Sequence, residues 1–155
     1  MDSKIIDNFK KEGIIAFSLN INQKQHKDGS WKKDLSFGKN YQWQKLTLKD
    51  NTYIENFNAI GLKTGKESNL FILDIDDVNS WNKLLKDTKN EEPETVKVIS
   101  GNGGIHYYFK YTENLKNIKS SSDVIENYKG IDIRTDGGFI IAPPTKYYNN
   151  NFEKK

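Results

Sequence analysis

The sequence contains no cysteine, and that one absence excludes disulfides, zinc–thiolate centres and cysteine nucleophiles together. It suits a reducing compartment. No apolar run approaches the roughly 18 residues of a membrane span, and the opening "MDSKIIDNFKKEG" lacks a signal-peptide pattern. A cytoplasmic protein without membrane attachment is therefore expected. Charge of one sign is scarce too: 24 Lys and Arg against 21 Asp and Glu leave +3, compatible with a polyanionic partner but too little to imply one. Internal repeats and flexible linkers are also lacking.

What is present is a polar chain with enough apolar residues to fold. Hydrophobic residues make up 35% and aromatics 12%, with a mean hydropathy of -0.81. The 155 residues suit one domain spanning 1–155. "SKIIDNFKKEG" places Ile5, Ile6 and Phe9 at helical spacing before a glycine stop at Gly13. "IIAFSLNI" reads as a strand. Residues 22–45 are polar and Lys-rich, interleaved with Trp31, Phe37, Tyr41 and Trp43, and read as a long surface excursion. Such a stretch grips single-stranded nucleic acid by charge and stacking, or else pins a loop to the core.

"NAIGLKTGKESNLFILDID" then gives two strands around a glycine loop. "NSWNKLLKDTKNEEP" reads as an amphipathic helix presenting Trp81, Leu84 and Leu85 on one side, with Pro93 as its stop. "TVKVISGNGGIHYYFKY" alternates as a hairpin, and residues 112–129 are polar and loosely patterned. "GIDIRTDGGFIIAPPTKY" supplies a last hairpin around Asp136, Gly137 and Gly138. This order predicts an α+β domain with a mixed or antiparallel sheet and flanking helices.

One stretch carries chemistry. In "SNLFILDIDDVNSW" an apolar run fit to be covered on both faces delivers Asp74 and Asp76, with Asp77 behind them. Strand side chains alternate, so Asp74 and Asp76 share a face about 6.5 Å apart. A divalent cation such as Mg²⁺ or Mn²⁺ cancels their repulsion; a strand-end turn or helix cap is the other reading. The same alternation puts Asp132 and Arg134 on one face, and His106 follows a glycine turn. Three carboxylates and a basic side chain drawn from strands of one sheet can hold two metal ions and activate a hydroxyl. A backbone-satisfied histidine and a salt bridge from Arg134 to Asp132 or Asp136 are the plain alternatives.

"GLKTGKESNLFILDID", "VISGNGGIHYYF" and "GIDIRTDGGFIIAPPT", in this order, resemble the bifunctional DNA primase/polymerase catalytic domain of the archaeo-eukaryotic primase superfamily. The likeness runs from about Gly13 to Thr145 and is strongest from Gly61 onward. It implies the superfamily's catalytic core with an RRM-like half, and a DNA-templated nucleotidyltransferase that makes or extends primers in replication of a virus, plasmid or other mobile element. By resemblance Asp74, Asp76 and Asp132 are the catalytic metal ligands for Mg²⁺ or Mn²⁺. His106 contacts the nucleotide phosphates, with Arg134, Thr64, Gly65, Gly104 and Gly138 completing the nucleotide site and Lys63 or Lys66 as weaker candidates. The implied partners are a single-stranded DNA template, nucleoside triphosphates and a replicative helicase, fused or in trans, so the chain is a stand-alone protein or a domain excised from a primase-helicase. Two departures stand out: Gly104 lies where many members have serine, and "SWKKDLSF" lacks the lysine-proline signature. Two rival readings remain, a catalytically silent DNA-binding module and a haloacid-dehalogenase-like phosphatase. The latter shares D-x-D-x-V in "FILDIDDV" but lacks its later acidic pair. "GLKTGKE" has three residues between its glycines where a P-loop needs four.

Overall fold

The strands follow the apolar runs, and what the local pattern does not reveal is how they pair. The computed structural model describes residues 3–29, 31–38, 42–50 and 52–148, so Tyr41 lies outside the described residues. Among these are helices α1 (Ser3–Lys11) and α2 (Val78–Thr88). The strands are β1 (Ala16–Gln25), β2 (Trp31–Ser36), β3 (Ala59–Lys63), β4 (Leu70–Ile75), β5 (Val96–Ile99), β6 (Ile105–Lys110), β7 (Ile131–Arg134) and β8 (Phe139–Ala142). They form two antiparallel four-stranded sheets, ordered β2-β1-β3-β8 and β5-β6-β4-β7. The chain divides accordingly into unit 1, residues 1–63 with 139–155, and unit 2, residues 64–138.

Unit 1 is built on the inward face of β1, where Phe17, Leu19 and Ile21 pack with Ile15, Trp43, Leu46 and Ala59. The Phe17 ring stacks on Trp43 with centroids 5.9 Å apart and meets Phe139 at 5.6 Å. Gly61 lies directly across the ladder from Phe17, and a Cβ there would come within 2.4 Å of the ring. Only glycine lets the aromatic cross β3. α1 buries Ile6 and stops where expected: Gly13 sits at φ 78, and Ile14 N–H closes the turn onto Phe9 O at 2.9 Å.

Residues 22–45 are not one long excursion. β1 continues to Gln25, turns at 26–29 and returns as β2, with register Gln25 opposite Trp31 and Lys24 opposite Lys32. Apolar alternation is weak because contacts outside the strand pair supply the hold. Trp31 stacks on Tyr148 at 5.0 Å, and Gln23 exchanges hydrogen bonds with the Tyr148 backbone.

In unit 2, β4 runs between β6 and β7. Its odd-numbered side chains face α2, where Ile75, Ile105, Tyr107 and Ile131 pack with Trp81 and, at the edge, Leu84 and Leu85. α2 begins on Asp77, whose Oδ1 accepts from the N–H groups of Asn79 and Ser80 at 2.9 and 3.1 Å. It ends at Lys89, in the left-handed region at φ 55, before Pro93 is reached. The expected pairing of the last two strands is also corrected. β7 joins β4, whereas β8 joins β3, so the turn at Asp136–Gly138 links two sheets and closes no hairpin. No helix among the described residues is long and apolar enough to cross a membrane.

Candidate active site

With the odd-numbered face of the β5-β6-β4-β7 sheet covered by α2, the even-numbered face carries the polar residues. Register decides which of them meet. Asp74 is directly opposite His106 on β6 and directly opposite Asp132 on β7. Asp76 follows two residues on, just past the end of β4, where its N–H donates to Gly130 O at 2.7 Å. Gly130 sits at φ 68 with a would-be Cβ 2.8 Å from Asp77, so this tether requires glycine. One ligand atom from each of Asp74, Asp76 and Asp132 lies within 4.8 Å of the others.

The carboxylates differ sharply in their surroundings. Asp74 Oδ1 faces His106 Nε2 at 3.2 Å, and its Oδ2 accepts from Arg134 Nε at 3.2 Å. Burial alone would raise the Asp74 carboxyl, but the His106 hydrogen bond and charge, then Arg134, outweigh it and hold the group below its ordinary value. Asp132 accepts from Arg134 Nη2 at 2.6 Å, Ser122 Oγ at 2.8 Å and the Asp123 N–H at 2.9 Å. Asp76 is exposed, and no hydrogen bond to its carboxylate is found among the described residues. Partial desolvation, then the charges of Asp74 and Asp132, push its carboxyl above the usual value. A cation here would relieve that potential. Three hard oxygen donors, two of them buried on a rigid strand pair, fit Mg²⁺ or Mn²⁺. The capping alternative belongs to Asp77, which does cap α2, and not to Asp76.

Other sequence candidates have contacts of their own. Lys63 belongs to unit 1, where its ammonium donates to the carbonyls of Gln44 and Leu46 at 2.7 and 3.0 Å. Thr64 Oγ1 donates to Thr135 O at 2.6 Å, and Gly65, at φ 100, packs so tightly on Asp136 that a Cβ would lie 2.2 Å from its Oδ1. A Cβ on Gly138 would meet Ser120 Oγ at 2.2 Å. Lys66 pairs with Glu113 at 2.9 Å. Arg134 makes the plain salt bridge to Asp132 and also the less expected one to Asp74. Tyr108 was not foreseen: it shares the even face two residues beyond His106, and burial, then the Asp74 charge, push its hydroxyl well above the ordinary range. Ser122 and Asp123, the supports of Asp132, lie in a stretch with no legible pattern.

Gly104 has a steric reason. A Cβ at this position would come within 2.6 Å of Ile75 O and 3.1 Å of Ser100 Oγ. Serine does not fit against that carbonyl unless β6 shifts. Gly104→Ser is expected to destabilise the protein by about 1–3 kcal/mol and to lower activity, measured by thermal melting and nucleotide incorporation. A gain in activity would show that the hydroxyl matters more than the fit.

The family of bifunctional DNA primase/polymerase N-terminal domains matches residues 22–152. The chain belongs to this family. It is thus an enzyme domain of the primase/polymerase type, and membership implies primase or polymerase activity acting on DNA template and nucleotides. No curated protein and no solved structure matches the chain. In this primase/polymerase domain the acidic triad lies within the matched segment, as do His106 and Arg134.

Proposed function

We propose that the domain joins nucleoside triphosphates on a single-stranded DNA template, making a primer and extending it. The observation that carries this reading is the triad of Asp74, Asp76 and Asp132, gathered within 4.8 Å on one sheet face of a primase/polymerase family member. These residues would hold Mg²⁺ or Mn²⁺, which when bound supplies a lowered pKa for the attacking 3′-hydroxyl and charge neutralisation for the departing pyrophosphate. Asp74 and Asp132, fixed on adjacent strands, set the separation of the ligand oxygens. Asp76, the exposed member, completes the set from the strand end. His106 and Arg134 bind and orient the triphosphate; Thr64, Gly65, Gly104 and Gly138 shape the turns around it. Residues 1–155 form one catalytic domain of two units, with the archaeo-eukaryotic primase core as its fold and unit 2 as the RRM-like half. The silent-module alternative leaves the intact triad without a purpose.

The template reading gains from charge. Unit 1 carries 14 lysines against 8 acidic residues, net +6, whereas unit 2 carries 9 lysines and Arg134 against 13 acidic residues, net −3. On the β1–β2 hairpin Lys24 lies directly opposite Lys32, a like-charge pair offset on one side by the Lys32–Asp34 ion pair at 3.2 Å. Labelled single-stranded DNA should bind, with affinity falling about 20-fold between 50 and 200 mM salt if some three phosphates are contacted. Salt-insensitive binding, or none at low salt, would count against it. The activity itself is tested by incubating the protein with labelled nucleotides, Mn²⁺ and unprimed single-stranded DNA. Short labelled products are expected; their absence, with primed templates also left unextended, would contradict the reading.

A further inference from the structure

Two of the three carboxylates in the triad, Asp74 and Asp132, already have partners on both of their oxygens. Arg134 takes one oxygen from each of two ligands, Asp74 Oδ2 through Nε and Asp132 Oδ2 through Nη2. The remaining two are engaged as well, Asp74 Oδ1 by His106 Nε2 and Asp132 Oδ1 by the Asp123 N–H. A divalent ion and a guanidinium brought against the same carboxylates repel one another. At 4 Å and an effective dielectric near 20, even two unit charges repel by about 4 kcal/mol. The Asp123 N–H and the Ser122 hydroxyl are neutral donors and can stay; Arg134 is the cation whose departure relieves the repulsion. Its side chain is 28% exposed, against 12% for Asp74 and 7% for Asp132, so it has a way out that the carboxylates lack.

We infer that Arg134 is a displaceable counter-ion of the catalytic triad. It forks Asp74 and Asp132, gives up those oxygens to the arriving divalent ion, and presents its freed guanidinium to the nucleotide phosphates. The inference rests on reading the triad as the metal site. Arginine suits both positions because its planar fork spans two carboxylates and equally matches phosphate oxygens. The same exchange frees His106: once Asp74 turns to the metal, Nε2 is available to a phosphate. Metal and triphosphate binding are thereby coupled through two side chains that each touch Asp74.

The test uses the full chain, chelator-treated, with Mn²⁺ alone as the probe. Free Mn²⁺ is read by electron paramagnetic resonance, and melting is recorded with and without the ion. Arg134→Gln removes the competitor; Arg134→Lys keeps a positive charge but cannot fork. Both should bind Mn²⁺ more tightly than the parent, the Gln variant by about tenfold. Without Mn²⁺ both should melt below the parent, and saturating Mn²⁺ should close most of that gap. If Arg134→Lys binds like the parent while Arg134→Gln binds tighter, a positive charge alone competes with Mn²⁺, and the fork on Asp74 and Asp132 that the inference assigns to Arg134 is overturned. Equal affinity for all three proteins, with Asp76→Asn losing Mn²⁺, overturns the inference but leaves the metal site standing. If Asp76→Asn binds Mn²⁺ as the parent does, the metal reading fails and takes the inference with it.

Discussion

Replacing Asp76 by Asn is expected to cut nucleotide incorporation at least about 100-fold while raising the melting temperature of the metal-free protein at neutral pH, since even indirect supports of a metal site cost 10–100-fold. The two effects share one cause. The Asp76 carboxyl is pushed up by desolvation and by its acidic neighbours, so the ionised group is a strain on the fold. With the folded value above the unfolded one, this residue's contribution to stability is full below the unfolded carboxylate value and is lost as pH rises through the folded value. Asp76→Asn removes that loss, so its advantage over the parent should grow as pH is raised through the carboxylate range and vanish in acid. Asp74→Asn should lose activity as severely but shift stability the other way. Its carboxyl is held down by His106 and Arg134, so its contribution is present above the unfolded value and lost as pH falls through the folded one. Losing the charged partner of two hydrogen bonds should cost about 1–3 kcal/mol. Activity at the parent rate in either variant, or stability changes of the same sign, would contradict this division.

The second large effect concerns His106. His106→Ala is expected to weaken triphosphate binding about tenfold or more, the scale of a charge-assisted hydrogen bond. Mn²⁺ affinity should change far less, because the triad already supplies hard oxygen ligands and imidazole suits softer metals. Separate titrations with nucleotide and with Mn²⁺ decide it. A loss confined to Mn²⁺ would reassign His106 to the metal.

How much of this was legible in the sequence depends on whether a residue's partner is set by strand alternation or by long-range pairing. Asp74 with Asp76, and Asp132 with Arg134, could be placed on common faces from alternation alone. Their convergence could be anticipated because "LFILDID", "GIHYYF" and "GIDIR" each read as strands. The Arg134–Asp74 bridge was not visible, since it depends on β7 lying beside β4, 60 positions away in sequence. For the same reason β7 and β8 looked like consecutive partners although the pair is split between sheets. The β1–β2 hairpin was missed because Lys24, Lys32 and Lys33 give no apolar period. Ser122 and Asp123 were missed because a hydroxyl and a backbone N–H carry no motif. Pro93 misled the reading of α2, since Lys89 adopts the left-handed cap first. Gly104 could be noted as a departure, but its cause, the Ile75 carbonyl, is known only from the fold.

The most direct measurement is anomalous diffraction from crystals grown with Mn²⁺ and a non-hydrolysable nucleoside triphosphate. The predicted result is a Mn²⁺ peak roughly 2.0–2.3 Å from oxygens of Asp74, Asp76 and Asp132, with Arg134 turned from Asp74 to the phosphates. Nucleotide bound with the triad still bridged by Arg134, and Mn²⁺ bound elsewhere or nowhere, would contradict it.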